Sequence, residues 1–177
     1  WLQHVQKPAR YTGGEYNSIV KDHSTVDVTM ALGFPDVYEV AMSHLGIKIL
    51  YGLVNRREDA VAERVFAPWH DMEEEMRKRN IPLFSLETRT PIKDFDVLAF
   101  TLQYEMSFTN ILNMLDLAGI PMYAKDRDLE FPLLVCGGPC AYNVEPIADF
   151  FDIVSLGESE EWGDEFIDLF KAEKAKG

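Results

Sequence analysis

Two apolar segments in the C-terminal part of the chain each lead directly into glycine. The segment 132–136 is followed by Gly137 and Gly138, and the segment 153–156 is followed by Gly157. A short apolar run that ends at glycine before a helix-compatible stretch is typical of a buried parallel strand leaving a sheet at its carboxyl edge. Open α/β sheets bind ligands at that edge. The sequence therefore predicts a parallel sheet with a ligand-facing carboxyl edge.

Apolar periodicity divides the rest of the chain into alternating strands and helices. Strands are predicted over 26–33, 61–66, 96–102, 132–136 and 152–156, with a further short strand at 120–123. Helices are predicted from a stripe of Leu45, Ile49 and Leu53, and over 71–80, 108–118, 145–151 and 159–174. Such alternation requires parallel strands joined by right-handed crossovers.

Five main strands favour the flavodoxin-like order 2-1-3-4-5 and hence a three-layer α/β sandwich with a mostly parallel five-stranded sheet. We predict one such domain over 25–177, preceded by an extended polar arm over 1–24 that packs on it. Glu63 and Arg64 lie inside the second strand, which places that strand near an edge of the sheet.

Composition narrows the functional classes. A net charge of −13 over 177 residues disfavours binding to nucleic acid. No apolar run is long enough to cross a bilayer, and the N-terminus does not resemble a signal peptide. Two cysteines close together make a poor disulfide framework, so we expect a reducing, cytoplasmic setting. The chain does not begin with Met, so we expect it to be either a fragment of a longer polypeptide or a processed product.

Several common catalytic and cofactor motifs are missing. The first strand is followed by Gly33-Phe34-Pro35-Asp36 in place of a dinucleotide fingerprint, and there is no phosphate-binding P-loop. Cys136 and Cys140 have the spacing of the first two cysteines of a radical S-adenosylmethionine motif, but Asn143 stands at the third position. Two thiolates cannot hold a cluster that needs three ligands. We predict neither a metal site nor a catalytic residue within this chain.

The candidate ligand-binding residues all follow predicted strands. They are Phe34, Pro35, His44, Gly46, Gln103, Tyr104, Glu105, Gly137, Gly138, Pro139, Gly157 and Glu158. Glycines at strand ends allow the backbone to approach a flat ligand or a neighbouring helix. His44 either touches a ligand or is a capping or packing residue, and Glu105 either binds a ligand or occupies the first turn of its helix.

Eight short segments together carry a family resemblance. They are 7–15, 34–39, 43–46, 63–69, 83–88, 102–105, 137–139 and 157–160. They resemble the N-terminal region of a bacterial family of radical S-adenosylmethionine (radical SAM) proteins, Fe–S oxidoreductases with a cobalamin-binding-like domain. The last segment is similar to a Gly-Glu-Gly-Glu element of that superfamily, with Ser159 in place of the second glycine.

The resemblance implies a flavodoxin-like, cobalamin-type fold and an accessory role. Its partner would be the barrel domain of the same polypeptide, which would hold the [4Fe–4S] cluster and S-adenosylmethionine. No histidine here stands in the D-x-H-x-x-G context that supplies a lower ligand to cobalamin in many such domains. The resemblance leaves two roles open: a domain that holds a cobalamin without that histidine, or a vestigial module for interdomain or protein–protein contact. Flavin binding is a third role, based on fold analogy alone.

Overall fold

A computed structural model describes residues 2–176, apart from the side chain of Glu161. Five parallel strands form one sheet in the order β2-β1-β3-β4-β5. They are β1 (Val28–Phe34), β2 (Ala60–Phe66), β3 (Val97–Thr101), β4 (Leu133–Gly137) and β5 (Ile153–Val154). The predicted fold class and strand order are confirmed.

Five α-helices cover the two faces of the sheet. They are α1 (Tyr38–Ser43), α2 (Leu45–Asn55), α3 (His70–Arg79), α4 (Phe108–Ala118) and α5 (Ser159–Lys174). One hydrophobic cluster joins the sheet to α3 and α4, and a second joins it to α1, α2 and α5. Because both faces are covered from within the chain, residues 2–176 bury their own core, and the 177-residue chain is expected to fold in isolation.

Two predicted elements differ from the structure. The segment 120–123 is not a strand; it is irregular and leads into a 3₁₀ turn at Ala124–Asp126. Pro121 explains this difference, since proline has no N–H to donate to a neighbouring strand. The predicted helix at 145–151 is a 3₁₀ helix, Glu145–Phe150, with Pro146 in its first turn.

The edge strand β2 is buried along its whole length, although it has only one neighbouring strand. Side chains take the place of a second neighbour. The Asn55 amide donates to the Ala62 carbonyl at 2.9 Å and accepts from the Ala62 N–H at 3.1 Å. Lys21 donates to the Ala60 carbonyl at 2.7 Å. These bonds satisfy backbone groups that an open sheet edge would expose.

Glu63 and Arg64 in β2 are buried because each has partners outside the strand. Glu63 accepts hydrogen bonds from the hydroxyls of Ser85 and Thr88, and one of its oxygens lies 2.7 Å from Nε2 of His23. Arg64 forms a salt bridge with Glu87, with 2.6 Å between Nε and Oε1. The edge position predicted for this strand is confirmed, and the charged residues attach the N-terminal residues to it.

Ion pairs hold the C-terminal half of α5 near the amino edge of the sheet. Lys171 bonds to Asp27 at 2.5 Å and to Asp59 at 2.9 Å. Arg57 also bonds to Asp59, at 2.9 Å, and to Asp168 of α5, at 2.5 Å.

None of the helices described within residues 2–176 is both long and apolar enough to cross a membrane.

Asp59→Asn is expected to make stability less sensitive to acid. The bonds from Arg57 and Lys171 hold the pKa of Asp59 well below its ordinary value. A carboxylate with a lowered pKa stabilises the fold at pH values above its ordinary pKa, and that stabilisation is lost as the pH falls. In urea unfolding between about pH 5 and pH 2, the free energy of unfolding should therefore fall less for the variant than for the parent. Asp149→Asn, at an exposed position, is the control, and equal losses in parent and Asp59 variant would contradict this account.

Candidate functional site

A cavity of about 250 Å³ opens at the carboxyl edge of the sheet, between α2 and α5. Its floor is formed by β1, β3 and β4, through residues such as Leu32, Ala99 and Val135. Its walls are apolar side chains from the two helices: Ile47, Ile49, Leu50 and Val54 of α2, and Trp162, Phe166 and Ile167 of α5. The rings of Trp162 and Phe166 are stacked, with their centroids 4.7 Å apart.

Small residues at the strand ends line the mouth of the cavity. They are Gly33, Gly137, Gly138, Ser155 and Gly157. Gly138 has a φ of +104°, and a Cβ there would lie 3.0 Å from the Leu102 carbonyl oxygen, so the turn after β4 needs glycine. Gly163, inside α5, also lines the cavity, and a Cβ built there would have no neighbour within 4 Å. A mid-helix glycine costs about 1 kcal/mol relative to alanine, and here it widens the cavity.

His44 stands between α1 and α2, and both of its ring nitrogens have partners. Nδ1 accepts from the Ile47 N–H at 3.4 Å and so caps α2. Because Nδ1 accepts, neutral imidazole carries its proton on Nε2, which lies 3.1 Å from Oε1 of Gln103. The Gln103 amide donates in turn to the Thr101 hydroxyl. The ring leaves room for no side chain at Gly46, where a Cβ would lie 2.9 Å from Cε1 of His44.

Two other polar groups face the cavity. The Ser155 hydroxyl has no hydrogen-bond partner among the described residues, although Ser155 is largely buried. Cys136 also lines the cavity, and burial raises the pKa of its thiol to about 12. That thiol stays protonated at neutral pH, so it is a poor metal ligand. The residues described in 2–176 contain no group of three or more His, Cys, Asp or Glu side chains that could hold a metal ion.

The structure brings seven of the twelve predicted residues to the cavity. They are His44, Gly46, Gln103, Gly137, Gly138, Gly157 and Glu158. The other five do not line it. Phe34 is buried with its ring centroid 5.1 Å from that of His44, and Pro35 accepts a hydrogen bond from Asn110. Pro139 begins a 3₁₀ helix.

The remaining two of these five, Tyr104 and Glu105, follow β3 at the same edge of the sheet but lie outside the cavity. The Tyr104 hydroxyl donates to Asp36 at 2.6 Å. Glu105 lies in the first turn of a 3₁₀ helix ahead of α4, where a carboxylate suits the helix dipole. Ligand binding by any of the twelve residues stays a prediction.

Sequence reasoning did not assign the helical walls of the cavity to the site. Trp162, Phe166 and Phe170 follow helical spacing, which indicates packing against the sheet. Gly163 was the available signal, because a glycine inside an otherwise regular helix often marks a close approach.

Residues 46–177 match the profile of a protein family described as radical SAM proteins, N-terminal. The chain belongs to this family. The match covers α2 from its second residue, every strand after β1 and the whole of α5, and therefore both walls of the cavity. It confirms the radical SAM part of the resemblance, while the cobalamin part stays a prediction.

One relative of this radical SAM N-terminal chain is the uncharacterized protein MJ0966 of Methanocaldococcus jannaschii. The two are 28% identical over 134 residues, which cover 74% of this chain and 24% of that protein. The chain thus spans about a quarter of the length of this relative.

Proposed function

We propose that this chain is the accessory domain of a radical SAM enzyme whose catalytic domain lies elsewhere in the same polypeptide, and that its cavity holds part of a corrinoid. Family membership supports the accessory role. The observation that carries the ligand proposal is the apolar cavity between α2 and α5, open at the carboxyl edge of a parallel sheet. Ligands of open α/β sheets bind at this edge.

The residues present fit one part of a corrinoid better than the rest. At about 250 Å³ the cavity is too small for a corrin macrocycle, but it suits a flat bicyclic base such as the one in the nucleotide of cobalamin. Apolar walls would contact the faces of such a base, and the Ser155 hydroxyl would donate to one of its ring nitrogens. The glycines at the mouth leave space for the attached chain.

The macrocycle would then lie over the loops at the carboxyl edge. A bound corrinoid would supply a transferable alkyl group to the chemistry of the catalytic domain. Because both ring nitrogens of His44 already have partners, His44 would position Gln103 and cap α2 and would not bind cobalt.

The proposal is tested by cobalamin retention. The 177-residue chain is mixed with cobalamin and desalted, and the corrinoid that stays with it is measured by visible absorbance. We expect about one equivalent for the parent and none for Gly163→Leu, because leucine at this position would fill the cavity from inside α5.

Gly52→Leu is the matched control for this test. Gly52 is also a mid-helix glycine with no atom near a built Cβ, but it lies on the exposed face of α2, outside the cavity. It should retain cobalamin like the parent. No retention by the parent, or equal retention by Gly163→Leu, would exclude the cavity as a corrinoid site. Gly138 is unsuitable for the test, since substitution there strains the backbone itself.

A second candidate function is an interaction module without a ligand. Large apolar side chains are exposed at the start of α2 and in the connections that follow β3, β4 and β5: Leu45, Tyr104, Met106, Tyr142 and Leu156. Exposed apolar surface of this kind favours contact with another domain or protein. A chain that retains no cobalamin, combined with loss of solubility of the full-length protein on Met106→Asp and Tyr142→Asp substitution, would favour this second role.

A further inference from the structure

The charged groups around the cavity are all of one sign. Among the described side chains, those of residues 2–176 other than Glu161, no Lys or Arg lines the cavity, and its only carboxylates are those of Glu158 and Glu160. Both are exposed at the start of α5 and form no salt bridge with any described residue. A ligand group entering the mouth therefore passes two uncompensated negative charges.

The cations of the neighbouring helices do not offset these charges. Arg56 and Arg57 lie at the C-terminal end of α2, where Arg56 pairs with Asp164, and Arg57 pairs with Asp59 and Asp168. Lys48 lies on the exposed side of α2 and does not line the cavity.

The N-terminus of α5 does not provide an anion site either. The N–H groups of a free helix N-terminus attract anions such as phosphate. Here Glu158 is the N-cap residue, its side chain bonds to none of those N–H groups, and Glu160 lies in the first turn. Their carboxylates place negative charge where a phosphate would otherwise bind, so the helix end attracts anions less.

We propose that the cavity selects against anionic groups, with Glu158 and Glu160 as the residues that determine this specificity. The ligand group is then a neutral, flat heterocycle with a hydrogen-bond acceptor for Ser155, and any phosphate attached to it stays outside the cavity. This inference rests on the proposed function in so far as the cavity is a ligand site. It goes further by naming the ligand class and by excluding from the cavity the phosphate of a cofactor such as flavin mononucleotide.

Two ligand pairs that differ only in a phosphate test this proposal. One is the riboside of dimethylbenzimidazole with its phosphate monoester, and the other is riboflavin with flavin mononucleotide. Binding to the 177-residue chain is followed by quenching of tryptophan fluorescence, since Trp162 lines the cavity. In at least one pair, we expect the neutral member to bind about tenfold more tightly at low salt, and the difference to shrink as salt is added.

The double variant Glu158→Gln, Glu160→Gln should bring the two members of the pair to similar affinity by strengthening the binding of the phosphate. Glu165→Gln, an exposed change on α5 outside the cavity, should leave the difference intact. Equal binding of both members by the parent, tighter binding of the phosphate, no effect of the double variant, or no binding of either neutral ligand would each overturn the proposal.

The outcome is distinguishable from that of the cobalamin test. If cobalamin is retained and the phosphate does not change ligand affinity, only the proposed selection against anionic groups fails. If cobalamin is not retained but a neutral ligand binds more tightly than its phosphate ester, the corrinoid assignment fails and the selection against anionic groups stands.

Discussion

Replacing Arg64 by methionine is expected to lower the free energy of unfolding by about 3–5 kcal/mol, because it leaves a buried carboxylate without its counter-ion. The Glu87 side chain is fully buried, and the Arg64 guanidinium is its bonded cation, 2.6 Å away. The same guanidinium lies 4.6 Å from the ring centroid of Tyr51 and bonds to Glu15 at 3.3 Å. Urea unfolding of parent and variant measures the loss.

The loss should depend on pH in a definite direction. Burial already raises the pKa of Glu87 above its ordinary value, with Arg64 opposing that shift. An acid with a raised pKa keeps its proton in the folded state while the unfolded state has lost it, so stability falls as the pH rises through this window. Without Arg64 the pKa rises further. The variant should therefore be destabilised less near pH 5 than near pH 8, by roughly 1 kcal/mol or more.

The double variant Arg64→Met, Glu87→Met is the control for this account. It removes the buried charge together with its partner, and exchanging a buried ion pair for apolar side chains is often close to neutral. It should recover most of the stability lost in the single variant. A single variant that loses less than about 1 kcal/mol, or a double variant with no recovery, would show that the pair is not the source of the effect.

Replacing Asn55 by alanine is expected to cost about 2–4 kcal/mol of unfolding free energy, from two backbone groups left buried without partners. Asn55 is itself buried, and its amide satisfies both the N–H and the carbonyl of Ala62. Asn55→Asp should cost at least as much, since a carboxylate cannot donate to the carbonyl and adds a buried charge.

Chemical denaturation of parent and variants measures this effect. Asn143→Ala, at an exposed position, should change stability by less than about 0.5 kcal/mol and serves as the control. Because Asn55 covers the edge strand, its loss should also increase aggregation on heating. An Asn55→Ala variant as stable as the control would mean that water satisfies the Ala62 groups equally well.

Most of the fold follows from local patterns in the sequence. The five main strands were located to within a few residues, and α5 was predicted with its observed bounds. The strand predicted at 120–123 was wrong. These four residues have the apolar character of a strand, but the second of them is a proline, which prevents hydrogen bonding to a neighbouring strand. The sequence did not predict the burial of β2. Its outer edge is covered by Asn55 and by Lys21 of the N-terminal arm, and apolar periodicity gives no information on such side-chain contacts.

The sequence by itself determined that the strands are parallel, that their ends meet at one edge, and that glycines line that edge. Those properties depend on the order of apolar runs and on backbone conformation, both of which are local. Only the tertiary structure decided which side chains enclose the cavity. Its two walls, α2 and α5, are more than 100 residues apart and meet only because the sheet brings the second and the last α-helix to one face. Only the folded chain, likewise, could gather Glu158 and Glu160 at a mouth that no Lys or Arg lines among the described residues.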